Sequence, residues 1–289
     1  MGAVVYYIFL PVLYLLSLLP FWALYGISDF LFFVVYRVTG YRKKVVYQNL
    51  KNSFPEKSEA ELKAIMYKFY AFFCDLIVET LKTLTIGEKA LRKHISFDDP
   101  SLFEKYSNQK QSVIIVMGHL GNWELGGARF SLLPYHRLYV IYHPLSNKNF
   151  NNLIVHMRTR LGNRLYAMSE VLRGMVRDRG ELTATAFIAD QTPQPSGAYW
   201  TTFLNQDTPV FPGTEKIAQK FKYPVIYLSI KRPKRGKYTM ECELLVEKPE
   251  LTSENEISEL HTKRLEKDII ENPEIWLWTH RRWKHKRTN

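Results

Sequence analysis

A histidine and a glutamate in residues 118–124 are the side chains of this chain best suited to acid–base chemistry. His119 follows a short apolar run, residues 112–117, and Glu124 stands five residues after it. An imidazole can take a proton from an attacking hydroxyl, and a carboxylate bonded to one ring nitrogen fixes the tautomer and raises the basicity of the other. We therefore predict a general-base pair that needs no protein nucleophile.

The spacing of this pair makes a demand on the backbone. In a regular helix an offset of five residues separates side chains by about 140°, so His119 and Glu124 would diverge. Gly118 and Gly121 flank the histidine and permit an irregular turn before a helix begins. The pair can meet only if the chain turns there. The alternative is a loop histidine beside an unrelated glutamate at a helix start.

The elements that must position this segment are predicted from hydrophobic patterning. Short apolar runs predict strands at 112–117, 138–142, 184–189 and 225–230, and alternation predicts a half-exposed strand near a sheet edge at 237–246. Helices are predicted at 59–84, with a capping box of Ser58 and Glu61, and at 150–161, 169–179 and 213–221. Ser253 and Glu256 are predicted to cap a last helix that ends at 271. This order indicates an α/β sandwich, a central mainly parallel or mixed sheet flanked by helices, with His119 at a strand's carboxyl end.

Charge is distributed unevenly along the chain. The 289 residues carry 40 Lys and Arg against 28 Asp and Glu, a net charge of +12, but Asp29 is the only charged residue before Arg37. Such a leader is long enough for one tilted membrane span plus an interfacial helix, although a buried core hairpin is an alternative. The basic residues at 37, 42, 43 and 44 place the following chain on the cytoplasmic side. We predict a membrane-anchoring segment, 1–44, and a catalytic domain, 45–289.

The remaining composition narrows the classes of partner. Three tryptophans and several basic residues share residues 276–287, a mixture typical of a membrane interface. Without a helix-turn-helix, zinc or RNA-binding signature, nucleic acid is not an expected partner. The histidines fit no metal-ligand spacing. Cys74 and Cys242 are expected to be reduced thiols.

Several segments of the sequence together resemble a known family. Residues 118–124 are similar to the H-x4-D/E signature of the lipid A biosynthesis acyltransferases, the lauroyl and myristoyl transferases within the wider glycerolipid acyltransferase group. The resemblance covers roughly residues 13–283. Further matching segments are 142–147, Arg158-Thr159-Arg160 with Gly162, Ala189-Asp190-Gln191 and Phe211-Pro212-Gly213-Thr214. His143 stands where the family usually has arginine, and residues 203–205 depart from a common Phe-Phe-Gly.

The resemblance implies a reaction and a place for it. A fatty acyl chain would pass from an acyl carrier protein thioester to a hydroxyl of a lipid A precursor, without metal or cofactor, at the cytoplasmic face of a bacterial inner membrane. His119 would be the base and Glu124 its orienting partner. Candidate oxyanion or phosphate donors are the backbone amides of Gly121 and Asn122 and the guanidinium of Arg158 or Arg160. Asp190 and Gln191 would shape the pocket, and Gly213 and Thr214 would offer helix-start amides to an anionic group.

Two alternatives stay open from the sequence. The same chemistry could act on a lysophospholipid or an amino-acid lipid, which differ only in the acceptor pocket. A non-enzymatic, membrane-anchored lipid-binding protein is the alternative of a different class, and it would predict that His119 and Glu124 lie apart in the structure with no adjacent cleft. The acidic carrier and anionic headgroups are both expected partners of the basic surface.

Overall fold

A seven-stranded sheet and a separate two-stranded hairpin organise the computed structural model, which describes residues 3–287. The strands are β1 (Ile95–Phe97), β2 (Val113–Met117), β3 (Arg137–Tyr142), β4 (Arg164–Ala167), β5 (Thr183–Ile188), β6 (Tyr199–Phe203), β7 (Gln206–Val210), β8 (Val225–Lys234) and β9 (Lys237–Val246). The helices are α1 (Ala3–Leu18), α2 (Phe21–Phe32), α3 (Lys43–Ser53), α4 (Glu59–Lys82), α5 (Glu88–His94), α6 (Ser101–Asn108), α7 (Trp123–Phe130), α8 (Lys148–Thr159), α9 (Val171–Arg177), α10 (Gly213–Phe221) and α11 (Glu256–Glu271).

The large sheet has the order β1-β9-β8-β2-β5-β3-β4. Its neighbours run parallel except for β8 and β9, which form an antiparallel pair. All five residues of β2 are buried, as expected of a strand covered on both faces. The prediction of an α/β fold with a mainly parallel, mixed sheet flanked by helices is confirmed. The alternating strand, β9, lies second from the edge, next to the short strand β1.

Two helix starts test the capping predictions differently. At α4 the Ser58 side chain and the Glu61 carboxylate satisfy each other's backbone amides, so the predicted capping box is confirmed. At α11 the helix begins later than predicted. Asn255, in the left-handed region, is its N-cap, and Ser253 precedes the helix while it donates to the Glu256 carboxylate.

The apolar leader forms two helices that pack on the body. Pro20 separates α1 from α2, and a π-helical turn, Phe33–Val38, continues α2. Phe21–Val38 is long and apolar enough to cross a membrane, judged by length and composition, and Tyr6–Leu18 is a shorter apolar helix. Both leader helices contact α4, and α1 also contacts α8. Large apolar side chains of the leader nonetheless remain exposed, which does not fit a buried core hairpin: Tyr7, Ile8, Phe9, Val12, Leu15, Leu18, Trp22, Phe30, Phe33 and Val38.

The aromatic tail lies elsewhere than the composition suggested. Trp276 and Trp278 are buried, and Trp283 packs partly buried against the same core. The prediction of a tail at the membrane interface is therefore wrong for these indoles. They are core residues because each finds a hydrogen-bond acceptor inside the protein, as a buried indole requires: Asp190 for Trp276, the Pro273 carbonyl for Trp278 and Thr208 for Trp283.

Both cysteines are free thiols, as predicted. Cys74 is fully buried on α4, and Cys242 is half-buried on β9. Burial raises the pKa of each thiol to about 12, so neither forms a reactive thiolate near neutral pH.

Candidate active site

The loop that carries His119 is fixed by contacts with the chain's last segment. The amide of Leu277 donates to the His119 carbonyl (3.2 Å), and the amide of Gly121 donates to the Ile275 carbonyl (2.9 Å). Gly121 has φ +64°, and a side chain there would lie 2.7 Å from the carbonyl oxygen of Ile230. The irregular turn expected from the glycines is therefore present, and only glycine fits it.

The carboxylate that pairs with His119 comes from the neighbouring strand. β2 and β5 are parallel with Met117 opposite Ile188, so the residues that follow each strand meet at one sheet edge. His119 Nδ1 lies 2.6 Å from Asp190 Oδ1, and the His119 amide donates to Asp190 Oδ2 (2.7 Å). The expected hydrogen bond from the ring to Glu124 is thus replaced by one to Asp190, since strand register places Asp190 beside the ring.

Asp190 is held as a buried carboxylate. Its Oδ2 also accepts a hydrogen bond from Trp276 Nε1 (2.8 Å). Burial opposes ionisation, but the charge and hydrogen bonds of His119 and the Trp276 bond outweigh it and lower the pKa of Asp190 to about 2. An ionised carboxylate only accepts hydrogen bonds, so Nδ1 of His119 donates to it, and in the neutral imidazole the free lone pair is on Nε2.

The other side of the imidazole faces the accessible surface. Nε2 of His119 lies 3.4 Å from Nε2 of the exposed Gln191 side chain. The ring packs edge-on against Trp123, with 4.8 Å between ring centroids, and the His119 side chain is 15% exposed. Nε2 is therefore oriented and partly accessible, the arrangement that general-base catalysis needs.

Glu124 instead holds an arginine. It lies in the first turn of α7, and its two oxygens receive Nε (3.0 Å) and Nη2 of Arg158, from the last turn of α8. Burial works against the charged guanidinium, but the Glu124 carboxylate outweighs it and raises the pKa of Arg158. The two-pronged pair holds a permanent cation on Glu124, the residue after Trp123, whose ring contacts that of His119.

One of the two predicted backbone oxyanion donors, the amide of Gly121, is already engaged. The Gly121 amide is bonded to Ile275, so it is not available to a substrate. Asn122 is fully buried, and its side chain caps α7 by accepting from the Leu125 amide (3.0 Å). Its Nδ2 donates to Glu79 (2.7 Å). These residues therefore build the loop, and neither the Gly121 amide nor the Asn122 side chain points a free donor at a substrate.

Other predicted site residues serve the fold. Arg160 donates to the carbonyls of Thr83 and Ile86, which ties α8 to the end of α4. Gly213 begins α10, where a side chain would collide with the Phe211 ring. Thr214 is fully buried, and α10 packs on α11 and on the turn Pro249–Leu251. The structure does not bring these three residues to His119 through any contact among the described residues.

A small cavity behind Asp190 contains residues that the sequence reasoning missed. Its volume is about 10 Å³, room for about one water molecule, and Asp190, Tyr227, His261 and Arg282 are among its lining residues. Nε2 of His261 and both Nε and Nη1 of Arg282 are buried without hydrogen-bond partners among the described residues. Burial lowers the pKa of His261 to about 4 and that of Arg282 to about 10, while Asp190 opposes both changes. Arg282 escaped notice because it stands in the basic, indole-rich tail.

A larger cleft, about 480 Å³, lies at the other end of the strands, where β3 and β5 begin, and not near His119. Among residues 3–287 there is no group of three or more His, Cys, Asp or Glu side chains arranged to hold a metal ion. The groups at the site that can take part in chemistry include the imidazole of His119, the carboxylates of Glu124 and Asp190, and Arg158.

Comparison with known proteins identifies the family. The model of the bacterial lipid A biosynthesis acyltransferase family matches residues 2–285, nearly the whole chain. The chain belongs to this family. It is 25% identical over 276 residues to the lipid A biosynthesis lauroyltransferase of Escherichia coli (strain K12), covering 94% of this chain and 89% of that protein. It is 23% identical over 247 residues to the palmitoleoyltransferase of the same organism, covering 84% and 79%.

Membership in the lipid A biosynthesis acyltransferase family establishes the class of activity. A similar likeness, 22% identity over 260 residues, connects the chain to a lipid A biosynthesis acyltransferase of Haemophilus influenzae (strain ATCC 51907 / DSM 11121 / KW20 / Rd). The chain is an acyltransferase, and the alternative of a non-enzymatic lipid-binding protein is wrong. Family membership, and not a hydrogen bond between His119 and Glu124, distinguishes the enzyme from the lipid-binding protein. That hydrogen bond is absent among the described contacts, because His119 is bonded to Asp190.

Proposed function

We propose that this acyltransferase moves a fatty acyl chain from a thioester donor to a hydroxyl of a lipid A precursor, with His119 as the general base. The observation that supports the mechanism is the bond from His119 Nδ1 to the buried Asp190, with Nε2 towards the accessible surface. Asp190 orients the ring and stabilises the imidazolium that forms when Nε2 takes a proton. This assigns to Asp190 the role that the sequence suggested for Glu124.

The reaction needs no acyl-enzyme. The acceptor hydroxyl oxygen attacks the thioester carbonyl carbon while its proton passes to Nε2 of His119. The tetrahedral intermediate then collapses, the carbon–sulfur bond breaks, and the thiolate recovers the proton from the imidazolium. The products are the acylated lipid and the free thiol of the carrier, and the histidine returns to its starting state.

Arg158 is the proposed electrophilic group. Its Nε and Nη2 are used by Glu124. Nη1 has no hydrogen-bond partner among the described residues, so it is left for a ligand. A guanidinium preset in this way stabilises an oxyanion or an acceptor phosphate without having to reorganise during the reaction. Glu124 therefore acts through Arg158 in this proposal, and Gln191 is the polar neighbour of Nε2 that a substrate hydroxyl would meet.

The leader is proposed to bring the site to its lipid acceptor. Tyr6 of α1 packs on Phe150, and Leu10 and Leu13 pack against the apolar cluster that contains Met157, the residue before Arg158. An exposed apolar surface on the leader beside α8 fits insertion into a bilayer, here a bacterial inner membrane with the body on the cytoplasmic face. Lys43 stacks on Tyr36 at 3.7 Å, and Arg42 donates to the Thr279 carbonyl, so the basic hinge is tied to the body.

Acyl carrier protein is the proposed donor carrier. The chain's net charge of +12 favours an acidic partner, because opposite charges accelerate encounter and orient docking. Coenzyme A is the alternative donor, and its use would not change the chemistry at His119.

The function is tested with the purified full-length protein in detergent. A lipid A precursor is incubated with acyl carrier protein or coenzyme A thioesters of several chain lengths, and lipids are analysed by mass spectrometry. A mass gain of one acyl chain is expected with the wild type and not with His119→Ala. Lysophospholipid and amino-acid lipid are the comparison acceptors. Transfer to one of them without transfer to the lipid A precursor would overturn the acceptor assignment, and full activity of His119→Ala would overturn the mechanism.

A further inference from the structure

Two buried carboxylates on α4 have no part in the proposed acyl-transfer mechanism. Asp75 and Glu79 are one helical turn apart and therefore point to the same side of α4. Both are almost completely buried. A buried carboxylate is costly unless hydrogen bonds compensate for its lost hydration, so its partners show what it holds together.

Glu79 joins three separate parts of the molecule. Its Oε1 accepts a hydrogen bond from the hydroxyl of Tyr25 on the leader helix α2 (2.9 Å). Its Oε2 accepts from Nδ2 of Asn122 in the His119 loop and from the hydroxyl of Tyr238 on β9 (2.7 Å each). One carboxylate thus connects the leader directly with the loop that carries the general base.

Asn122 links Glu79 to the helix that borders the site. Its side-chain Nδ2 donates to Glu79, and its Oδ1 accepts from the Leu125 amide and caps α7. The first turn of α7 holds Trp123 against the His119 ring and presents Glu124 to Arg158. A movement of Asn122 would therefore change the positions of groups on both sides of the reaction centre.

Polar contacts around Asp75 and Tyr25 hold the leader helix α2 on the body. Of α2, only Leu24 and Ser28 are buried, and Ser28 donates to Asp75 (2.7 Å). Arg235 also binds Asp75 and lies over the Tyr25 ring, 4.7 Å from its centroid. Gly236 leaves room for Tyr25 at this contact, because a side chain at position 236 would lie 2.2 Å from the Tyr25 hydroxyl.

We propose that Glu79 is a positioning residue that couples the seating of the leader helix to the geometry of the His119 loop, through Tyr25 on one side and Asn122 on the other. The leader is then part of the catalytic scaffold as well as a membrane anchor. An acyltransferase built in this way reaches full activity only when its leader is seated, which ties catalysis to the state of the membrane segment.

The first experiment compares Tyr25→Phe with wild type in the full-length protein. Tyr14→Phe is the matched control, a leader tyrosine whose ring packs in the apolar cluster around Leu84. Hydrogen exchange of residues 119–127 is expected to rise at least fivefold in Tyr25→Phe alone, and kcat to fall about tenfold with KM unchanged within twofold. Equal loop exchange and kcat in Tyr25→Phe and the control would overturn the proposal. So would a uniform rise in exchange with unchanged kcat, because that describes a merely structural role.

The second experiment is a double-mutant cycle with Asn122→Ser. Serine still caps α7 but is too short to reach Glu79, so the link is cut and the cap is kept. Tyr25→Phe is expected to have no further effect on loop exchange or kcat in the Asn122→Ser background. Equal factors in both backgrounds would refute the connection through Glu79. The kinetic measurement depends on the proposed function, whereas loop exchange is measured without substrate, so a failure of one is distinguishable from a failure of the other.

Discussion

Replacing Asp190 by asparagine tests the central pair of the site. The carboxylate accepts three hydrogen bonds, from Nδ1 and the amide of His119 and from Trp276 Nε1. An asparagine has one oxygen, and the two fixed N–H donors, the His119 amide and the indole, both face the position of Oδ2. The oxygen of the introduced side chain should therefore take that side, and its NH2 group should face Nδ1 of His119.

This orientation reverses the histidine tautomer. Nδ1 has to become the acceptor, the ring proton moves to Nε2, and the base loses its free lone pair. To restore the active tautomer the amide must flip, which leaves two buried donors without acceptors at ~1–3 kcal/mol each. The resulting barrier increase of about 4 kcal/mol corresponds to a ~1000-fold lower kcat. Substrate binding should change much less, since Asp190 does not contact the substrate in our proposal.

The assay measures initial rates of acyl transfer by mass spectrometry, with separate determination of kcat and KM. Glu124→Gln is the matched comparison, because the sequence alone assigned the orienting role to that carboxylate. It removes the charge that pairs with Arg158 but leaves the bonds between His119 and Asp190 in place. We expect its kcat to fall less than that of Asp190→Asn.

The opposite ranking would refute the reasoning. If Asp190→Asn kept more than a tenth of the wild-type kcat while Glu124→Gln lost a factor of a thousand, Glu124 would be the orienting carboxylate. A melting temperature and a circular dichroism spectrum of each variant are needed, so that loss of folding is not mistaken for loss of the tautomer.

Three further predictions concern the same contacts. Because the pKa of Asp190 is lowered from 3.8 to about 2 in the folded state, its stabilisation is complete above pH 3.8 and is lost as pH falls towards 2. The free energy of unfolding should fall by about 2 kcal/mol, because each pKa unit of the shift corresponds to ~1.4 kcal/mol. Urea unfolding should therefore show a steeper decline of stability over this pH range in the wild type than in Asp190→Asn. Arg158→Lys keeps a cation but not the two-pronged bond to Glu124, so kcat should fall roughly 10- to 100-fold in the transfer assay, and an unchanged kcat would remove Arg158 from the mechanism. Gly121→Ala should lower the free energy of unfolding by about 2–4 kcal/mol, since it combines a positive φ with a 2.7 Å approach to a carbonyl oxygen; Gly180→Ala, with nothing within 4 Å, is the control and should change it little.

The elements that could be predicted were those with local patterns. Buried strands appear as short apolar runs, and the β2 run, which ends at Gly118, places His119 at the carboxyl end of a strand without any tertiary information. The capping box at Ser58 and the alternation along β9 are equally local. The hairpin of β6 and β7 and the short strand β1 were missed, because runs of three to five mixed residues do not produce a clear period.

The tail shows a different kind of failure. Indoles beside arginines satisfy the same chemical needs at a membrane interface and in a core that supplies acceptors, so composition cannot choose between them. Trp276 is buried because Asp190 lies within reach of its Nε1, a contact between residues 86 positions apart. Arg282 is buried for a related reason, since the Pro209 carbonyl accepts from its Nη2 (2.7 Å).

The sequence by itself determined the class of fold, the apolar leader and the histidine at the end of a buried strand. Each depends on neighbouring residues, whose side-chain periodicity is set by helix and strand geometry. Only the tertiary structure decided which carboxylate serves that histidine. Asp190 lies 71 positions away, and the parallel register of β2 and β5 brings it to the ring, while Glu124, five positions away, turns with its helix to Arg158. Register and helix direction are properties of the packed sheet, which no local spacing specifies.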